Sequence, residues 1–384
     1  ITCLTATTID GTVLWQTGTP SADNGRLYSD LPVQIDDWDG DGRNDVLYVR
    51  QAVYAEPPYD GQSVRERATR YEGPATLVIL EGATGHEKGS LELPAPADDS
   101  LLLADLTGHG RRADLVVKDR YWNMWGVTHE GQVRWHWSGS TGHFPAVQDV
   151  DEDGRDEVFV GYALIDDDGK VLFSHDPQGG HQDACYVIRP GDGQWRLLFG
   201  NGGLHCLAVD GTSLWHRPMG ECQHVVAGRF RTESEVQFVV VDRTPVPTHQ
   251  RDRNAWAILY LYDLQGQEIW RQPQTPGAWA IAPLAVRWSG FEAPQDILVY
   301  GRGPGRPAVI YRGDGEVLDE LPMQYVESRT EADRLTDYYV LVADVWGDSR
   351  EEVIMFGSRG ACIYANARLL PIPTLTNETL YPGM

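Results

Sequence analysis

The sequence predicts an all-β protein, a seven-bladed β-propeller with eight blades as the alternative. Three observations predict it. An acidic loop recurs ahead of a β-type apolar run, a hairpin phrase recurs between those loops, and no segment shows sustained helical periodicity with caps.

The acidic loop is clearest in GHFPAVQDVDEDGRDEVFVG and IDDWDGDGRNDVLYV. Asp149, Asp151 and Asp153 stand at alternate positions before Gly154, and Glu157 closes a one, three, five, nine spacing that Asp37, Asp39, Asp41 and Asp45 repeat. Carboxylates so spaced wrap one hard cation, with the carbonyl of Arg155 or Arg43 completing the shell, so each loop is a candidate structural calcium site. An EF-hand needs a helix on each side, whereas strand-like QDV and VFVG flank this loop. Weaker echoes run through ADLTGHGRRADLVV, YVIRPGDGQWRLLF, AGRFRTESEVQFVV, AVRWSGFEAPQDILVY and ADVWGDSREEVIMF. That makes seven copies, of which two are fully equipped for calcium.

The second phrase is an apolar strand, a tight turn and a strand that often ends in an aromatic residue, as in TATTIDGTVLW, WGVTHEGQVRW, YALIDDDGKVLF, HCLAVDGTSLW and LYLYDLQGQEIW. Asp-Gly between alternating apolar runs is a strong hairpin signal. Each period of roughly 40 to 50 residues then holds about four strands, the content of a propeller blade. The repeat runs nearly end to end, so residues 1–384 are expected to form one domain, with the termini closing the last blade.

A net charge of −24 argues against nucleic acid and anionic membrane as partners. Five cysteines show no metal-ligand spacing; a Cys3–Cys362 bridge at the closure is weighed against free buried thiols, which are favoured. There is no transmembrane run, and the abrupt ITCLT start is expected to follow a removed segment. A monomer outside the cell or at its surface is expected, with the cytoplasm as the alternative.

Strand alternation sorts residues onto faces. With strands A to D from axis to rim, the A–B acidic loop and the C–D turn emerge on one face, and the B–C loop and D–A crossover on the other. The second face collects Arg50, Lys118, Arg120, Tyr162, Asn201, Arg243, Arg302 and Arg359 at the ends of B strands, with His143, His181 and His224 in crossovers and His205 just after a B–C loop. The insertions Ala52 to Pro74, Thr244 to Asn254 and Met323 to Asp337 map there too. Taken singly, such an Arg is a solvated or ion-paired surface group; a basic group on one face of nearly every blade is a pattern. His86, His109, His129, His136, His175, His216 and His249 fall on turns or outer strands and are read as structural, and Trp215 and Trp270 as packing between blades.

At GGHQDACY, followed by FGNGGLHCLAVDGTSLW, the sequence resembles the calcium-binding propeller polysaccharide lyases, which include rhamnogalacturonan, ulvan and rhamnosyl-glucuronate lyases. The DxDGDGxxD loops that carry most of the likeness are shared with integrin-type FG-GAP repeats. More specific to the lyases is the histidine pair within one blade, His181 and His205 here, with Arg243 as the basic residue of the next. The modest length points toward the compact seven-bladed relatives. The resemblance implies β-elimination on an anionic polysaccharide of rhamnose and uronic acid.

That chemistry needs a cation on the uronate carboxylate, a base for the C5 proton and an acid for the leaving oxygen. Arg243 suits the first task and His181 and His205 the others, with Tyr162 in reserve. His143, His224, Asn201, Arg302, Arg120, Arg50 and Arg359 are then expected to bind substrate. The rival reading is a non-catalytic carbohydrate-binding or adhesion propeller, which near-identical pockets in every blade would favour.

Overall fold

A computed structural model of the protein describes residues 1, 3–20, 32–54, 71–177, 180–231, 235–243, 257–274, 281–301, 307–322, 339–357 and 360–369. It is all-β, with seven blades arranged as a propeller. The chain enters through a two-stranded hairpin, β1 (Cys3–Thr7) and β2 (Val13–Gly18). Blade one follows as β3 (Val33–Asp36), β4 (Asp45–Tyr54), β5 (Tyr71–Glu81) and β6 (Glu87–Leu93), and blade two as β7 (Leu101–Ala104), β8 (Asp114–Lys118), β9 (Asn123–Val127) and β10 (Val133–Ser138). Blade three holds β11 (Ala146–Gln148), β12 (Glu157–Phe159), β13 (Ala163–Ile165) and β14 (Val171–Ser174). Blade four holds β15 (Ala184–Ile188), β16 (Arg196–Gly200), β17 (Gly203–Leu207) and β18 (Ser213–Pro218). Blade five is β19 (Cys222–Gly228), β20 (Gln237–Asp242), β21 (Ala257–Tyr262) and β22 (Glu268–Gln274). Blade six is β23 (Ile281–Val286), β24 (Asp296–Gly301), β25 (Ala308–Tyr311) and β26 (Val317–Leu321). Blade seven has three strands among the described residues, β27 (Tyr339–Ala343), β28 (Glu352–Gly357) and β29 (Gly360–Tyr364). Every blade is an antiparallel meander, as consecutive strands joined by short loops require.

The core lies between blades. Leu47, Val49 and Leu77 of blade one pack with Leu101, Leu115 and Val117 of blade two. Val116 and Met124 pack with Val158 and Ile165 of blade three, and the same layering continues round to blades six and seven. These B strands are buried on both faces and are apolar through their middles, with polar residues only at the ends, as in DLVVK and QFVVVD.

The hairpin phrase has a repeated mechanical role. Trp135 Nε1 donates to the Asp167 carbonyl (2.8 Å), Trp215 to Leu264 (3.1 Å) and Trp270 to Gly313 (2.9 Å), each at a C–D turn of the following blade. The turn glycine is needed twice over: Gly169 has φ +87°, and a Cβ there would lie 2.5 Å from Trp135. Trp215 and Trp270 are thus inter-blade packing, as expected. Trp15 on β2 docks on Gly82 of blade one in the same way (2.9 Å), so β1–β2 stands in the outer position on the open side of blade one. No ladder joins it to β29 among the described residues. The Cys3–Cys362 bridge is not formed, and Cys185, Cys206 and Cys222 are likewise outside any disulfide.

Candidate active site

A buried lysine organises this face from beneath. Lys118, at the end of β8, is 1% exposed, and a buried ammonium requires acceptors. Its Nζ donates to the carbonyls of Asp98 (3.2 Å), Asp119 (3.2 Å), Arg120 (2.6 Å) and Gly142 (3.0 Å). It thereby ties the crossover into blade two, the loop after β8 and the crossover into blade three. Lys118 was expected among the basic groups of the mouth; its ammonium is instead buried among these carbonyls and 3.9 Å from Asp99 Oδ2.

Those three segments carry Asp99, Tyr121 and His143. Asp99 adopts φ +75°, a left-handed conformation that is costly outside glycine and recurs at functional sites. Its carboxylate lies 3.0 Å from His143 Nδ1, while Tyr121 Oη lies 3.2 Å from His143 Nε2. A carboxylate beside Nδ1 favours the tautomer protonated there, which leaves Nε2 to accept the Tyr121 hydroxyl. Arg120 Nη1 bridges Asp98 (3.0 Å) and Asp99 (2.9 Å), and together with the Lys118 ammonium, 3.9 Å from Asp99, it balances the two buried carboxylates. Buried Gln182 wedges the next crossover against this one: its carbonyl accepts from the His143 backbone N–H (3.0 Å), and its side chain fills the space where a Cβ on Gly142 would lie.

His181 stacks on the Tyr121 ring (4.9 Å between centroids, 29° between planes). Its Nε2 is 3.7 Å from Asp183 Oδ1, which is also 3.8 Å from His143 Nε2. Asp183 is buried, and desolvation first, then the charge of Glu221, pushes its carboxyl up to about 7; Arg243 and a hydrogen bond from Gln223 act in the opposite direction. The side chain of His181 is 44% exposed against 21% for His143 and 7% for Asp183, so His181 is the most solvent-facing of the three. One donor atom from each of the three lies within 4.8 Å of the others, close enough to hold a metal ion as well as to share protons.

Arg243, after β20, is gripped by both carboxylate oxygens of Glu221, with Nε at 3.1 Å from Oε2 and Nη2 on Oε1. Tyr162 accepts from the Asn201 amide and rests on Phe199, and burial pushes its phenol up. Asn201 sits so close to Gly180 that a Cβ there would meet its amide nitrogen at 2.4 Å. His205 is the cross-strand neighbour of Phe199 on β16 and His216 on β18, and the three rings stack in one rung at 4.4 and 4.2 Å. Its Nε2 faces the Asn201 carbonyl (3.2 Å), and burial, then His216, lowers its pKa. His224 is half-buried on β19, opposite Val241, and Arg50 pairs with Glu87 of blade one (3.4 Å). Arg302, Arg359 and most of the three insertions lie outside the described residues.

Sequence reasoning passed over Tyr121 and Asp99. Both occupy the topological positions used to nominate Arg120 and His143, so the signal was present, but side-chain direction was not.

The opposite face carries the acidic loops. Asp149, Asp151 and Glu157 bring donor atoms within 4.8 Å of one another, as do Asp37, Asp39 and Asp41. Glu157 Oε1 is buried without a partner, and desolvation, with Asp151 and Asp149, pushes its carboxyl up to about 8. Asp153 instead bonds Arg155. In the first loop Lys88 Nζ reaches Asp39 (2.6 Å), Asp41 (3.6 Å) and Asp45 (2.9 Å). Both loops are compatible with a metal ion, and the first already contains an ammonium. A depression of about 390 Å³ lined by Phe230, Arg231, Ser289, Asp296 and Arg312 lies on this face, away from the histidines.

Comparison with known proteins falls on the same region. The model of the rhamnogalacturonan lyase family 11 C-terminal domain matches residues 113–192, the stretch that contains Tyr121, His143, His181 and Asp183. The rhamnogalacturonan exolyase YesX of Bacillus subtilis (strain 168) is 25% identical over 47% of this chain and 34% of its own length. The structure of YesX superposes with a TM-score of 0.64 at 20% identity, covering 96% of this chain and 66% of that one. The family 11 rhamnogalacturonan lyase of Bacillus licheniformis gives 0.64 at 19%, covering 96% and 65%. The fold is wider than this chemistry, since the Vibrio cholerae biofilm matrix protein Bap1 gives 0.57 at 13%, covering 94% and 80%. The chain spans about a third of its curated relative and just under two thirds of the solved lyases, so the matches are with long rhamnogalacturonan lyases, whereas its length had pointed to compact relatives. By sequence over residues 113–192, and by fold over nearly all of its length, the chain is similar to rhamnogalacturonan lyases.

Proposed function

We propose that the chain is a polysaccharide lyase that cleaves a polysaccharide of rhamnose and uronic acid by β-elimination across C4 and C5 of the uronate. The observation that carries this reading is the Asp99–His143–Tyr121 relay with His181 stacked on its phenol and Asp183 below. Elimination needs a base and an acid on one small patch, and two imidazoles and a phenol near a shared carboxylate supply both.

His181, the exposed member, takes the C5 proton. Tyr121, its ring held by His143, gives its hydroxyl proton to the departing O4; the phenolate left behind lies against the newly formed His181 imidazolium and recovers a proton from it through solvent, while Asp99 fixes the His143 ring. Arg243 neutralises the substrate carboxylate, exchanging or sharing its partner Glu221. Asn201 and Tyr162 shape the neighbouring wall. His205 has no part in this mechanism, because its ring is committed to the stack with Phe199 and His216.

Calcium fits the acidic loops: the donors are all oxygen, and Glu157 offers a buried oxygen without a partner. It would stabilise the blades from the face opposite the chemistry. No helix among the described residues is long and apolar enough to cross a membrane. Action outside the cell on a polymer is the location this reading implies.

The test is incubation with rhamnogalacturonan and a panel of other uronate polymers, following the ultraviolet absorbance of the unsaturated uronate product. Binding without that product, by correctly folded protein, would make this an adhesion or binding propeller.

A further inference from the structure

The loop of blade two departs from the acidic pattern in a way that changes its chemistry. Asp114 opens β8 as Asp45 opens β4 and Glu157 opens β12, but the middle positions of the loop hold Thr107 and His109 in place of carboxylates. The Asp105 carboxylate is taken up by the backbone N–H groups of Gly108 (2.8 Å), His109 (2.8 Å) and Gly110 (2.6 Å). A second imidazole, His129, arrives from the β9–β10 turn, with its ring centroid 5.2 Å from that of His109. One donor atom from each of His109, Asp114 and His129 lies within 4.8 Å of the others.

The hydrogen bonds around these groups set the proton positions. Thr107 donates its single hydroxyl proton to Asp114 Oδ2 (2.6 Å), so its contact with His109 Nδ1 (2.6 Å) places the ring proton on Nδ1 and leaves the Nε2 lone pair available. Glu130 Oε1 lies 3.1 Å from His129 Nε2, and its charge favours the proton on that nitrogen, which leaves a lone pair on Nδ1. That Nδ1 is buried, has no hydrogen-bond partner and lies 3.8 Å from Asp114 Oδ1. A ligating histidine whose other nitrogen is held by a carboxylate or hydroxyl is the usual outer support of a protein metal site.

We propose that His109, Asp114 and His129 form a site for a zinc-type divalent transition metal, which staples the β7–β8 loop to the β9–β10 turn. Two imidazole nitrogens and one carboxylate oxygen suit zinc or cobalt, where the all-oxygen loops of blades one and three suit calcium. Three protein ligands leave a fourth position for water.

The test is titration of chelator-stripped protein with zinc by calorimetry and with cobalt by visible absorption. The cluster of His143, His181 and Asp183 on the other face is a rival acceptor, so the titration is repeated in His181→Ala. One equivalent of zinc that survives His181→Ala, gives tetrahedral cobalt bands and disappears in both His109→Ala and His129→Ala is the expected result. Thr107→Val and Glu130→Gln should each weaken it by about 10- to 100-fold, while His136→Ala on β10 leaves it unchanged. The proposal is overturned if the wild type binds no stoichiometric zinc, or if binding is lost in His181→Ala and kept in the His109 and His129 variants. Circular dichroism on each variant separates lost ligation from lost fold.

Discussion

Asp183 lies beneath His181, with its Oδ1 3.7 Å from the imidazole Nε2, close enough to steer the ring and too far for a direct hydrogen bond. His181 stacks on Tyr121 and lies beside this carboxylate with nearly half of its side chain exposed, where a substrate can reach it. His181→Ala should lower kcat by about 10² to 10⁴, the usual loss for a general base. Because nearly half the side chain is exposed, Tm should move little. Near-normal turnover on a confirmed substrate would move the base role to His143 or Tyr121.

The raised pKa of Asp183 makes a second prediction whose sign follows from its direction. A carboxyl near 4 in the unfolded chain and about 7 when folded holds its proton more tightly in the native state. Its contribution to stability is therefore fully present below about pH 4 and is lost as pH rises to about 7, by at most about 4 kcal/mol. Asp183→Asn removes this dependence, so the variant should gain on the wild type steadily across that window in urea titrations at saturating calcium. A constant difference between the two proteins from pH 4 to 7 would show that Asp183 titrates normally.

The architecture was legible because two short phrases, the acidic loop and the Asp-Gly hairpin, encode backbone geometry directly: positive φ at Gly154 and Gly169, and a seat for Trp135. Loop parity alone also brings His143 and His181 to one side, where the structure sets both against Tyr121 and Asp183. Side-chain direction was not legible. Lys118 turns inward to four carbonyls, and cross-strand register gives His205 to Phe199 and His216. Arg243 meets an acidic partner, Glu221, that precedes it by a whole strand pair, and pairing over such a distance leaves no local pattern in the chain.

That partner makes the third prediction. If Arg243 is the carboxylate clamp, Glu221 competes with substrate for it, and Glu221→Gln should lower KM for an anionic substrate while kcat changes less. Arg243→Ala should depress both binding and turnover, since the clamp acts in ground and transition states alike. A Glu221→Gln enzyme with raised KM would instead make Glu221 the sugar ligand and Arg243 its support.

The last prediction concerns the acidic loops, where a proton and an ammonium compete with the metal. Glu157, pushed up to about 8 by burial and by Asp151 and Asp149, must lose its proton before its buried oxygen can serve calcium. Calcium affinity at this loop should rise by about tenfold per pH unit as pH approaches 8 and then level off, the signature of one displaced proton. In chelator the raised pKa means that stability falls from about pH 4 toward 8, so the Tm gap between calcium-loaded and chelated protein should widen over the same range. The first loop obeys a different rule, because Lys88 sits on Asp39 and Asp45, which raise its pKa, and stays charged throughout. It should bind calcium more weakly than the loop of Asp149, Asp151 and Glu157, and Lys88→Ala should tighten it without altering the other. Turnover well below Tm should survive chelation, since both loops lie on the face away from His181. Calorimetric calcium titrations of wild type and Lys88→Ala at pH 6, 7 and 8 decide the matter: equal affinities at both loops, or an affinity flat with pH, would mean that neither the lysine nor the glutamate proton gates the ion.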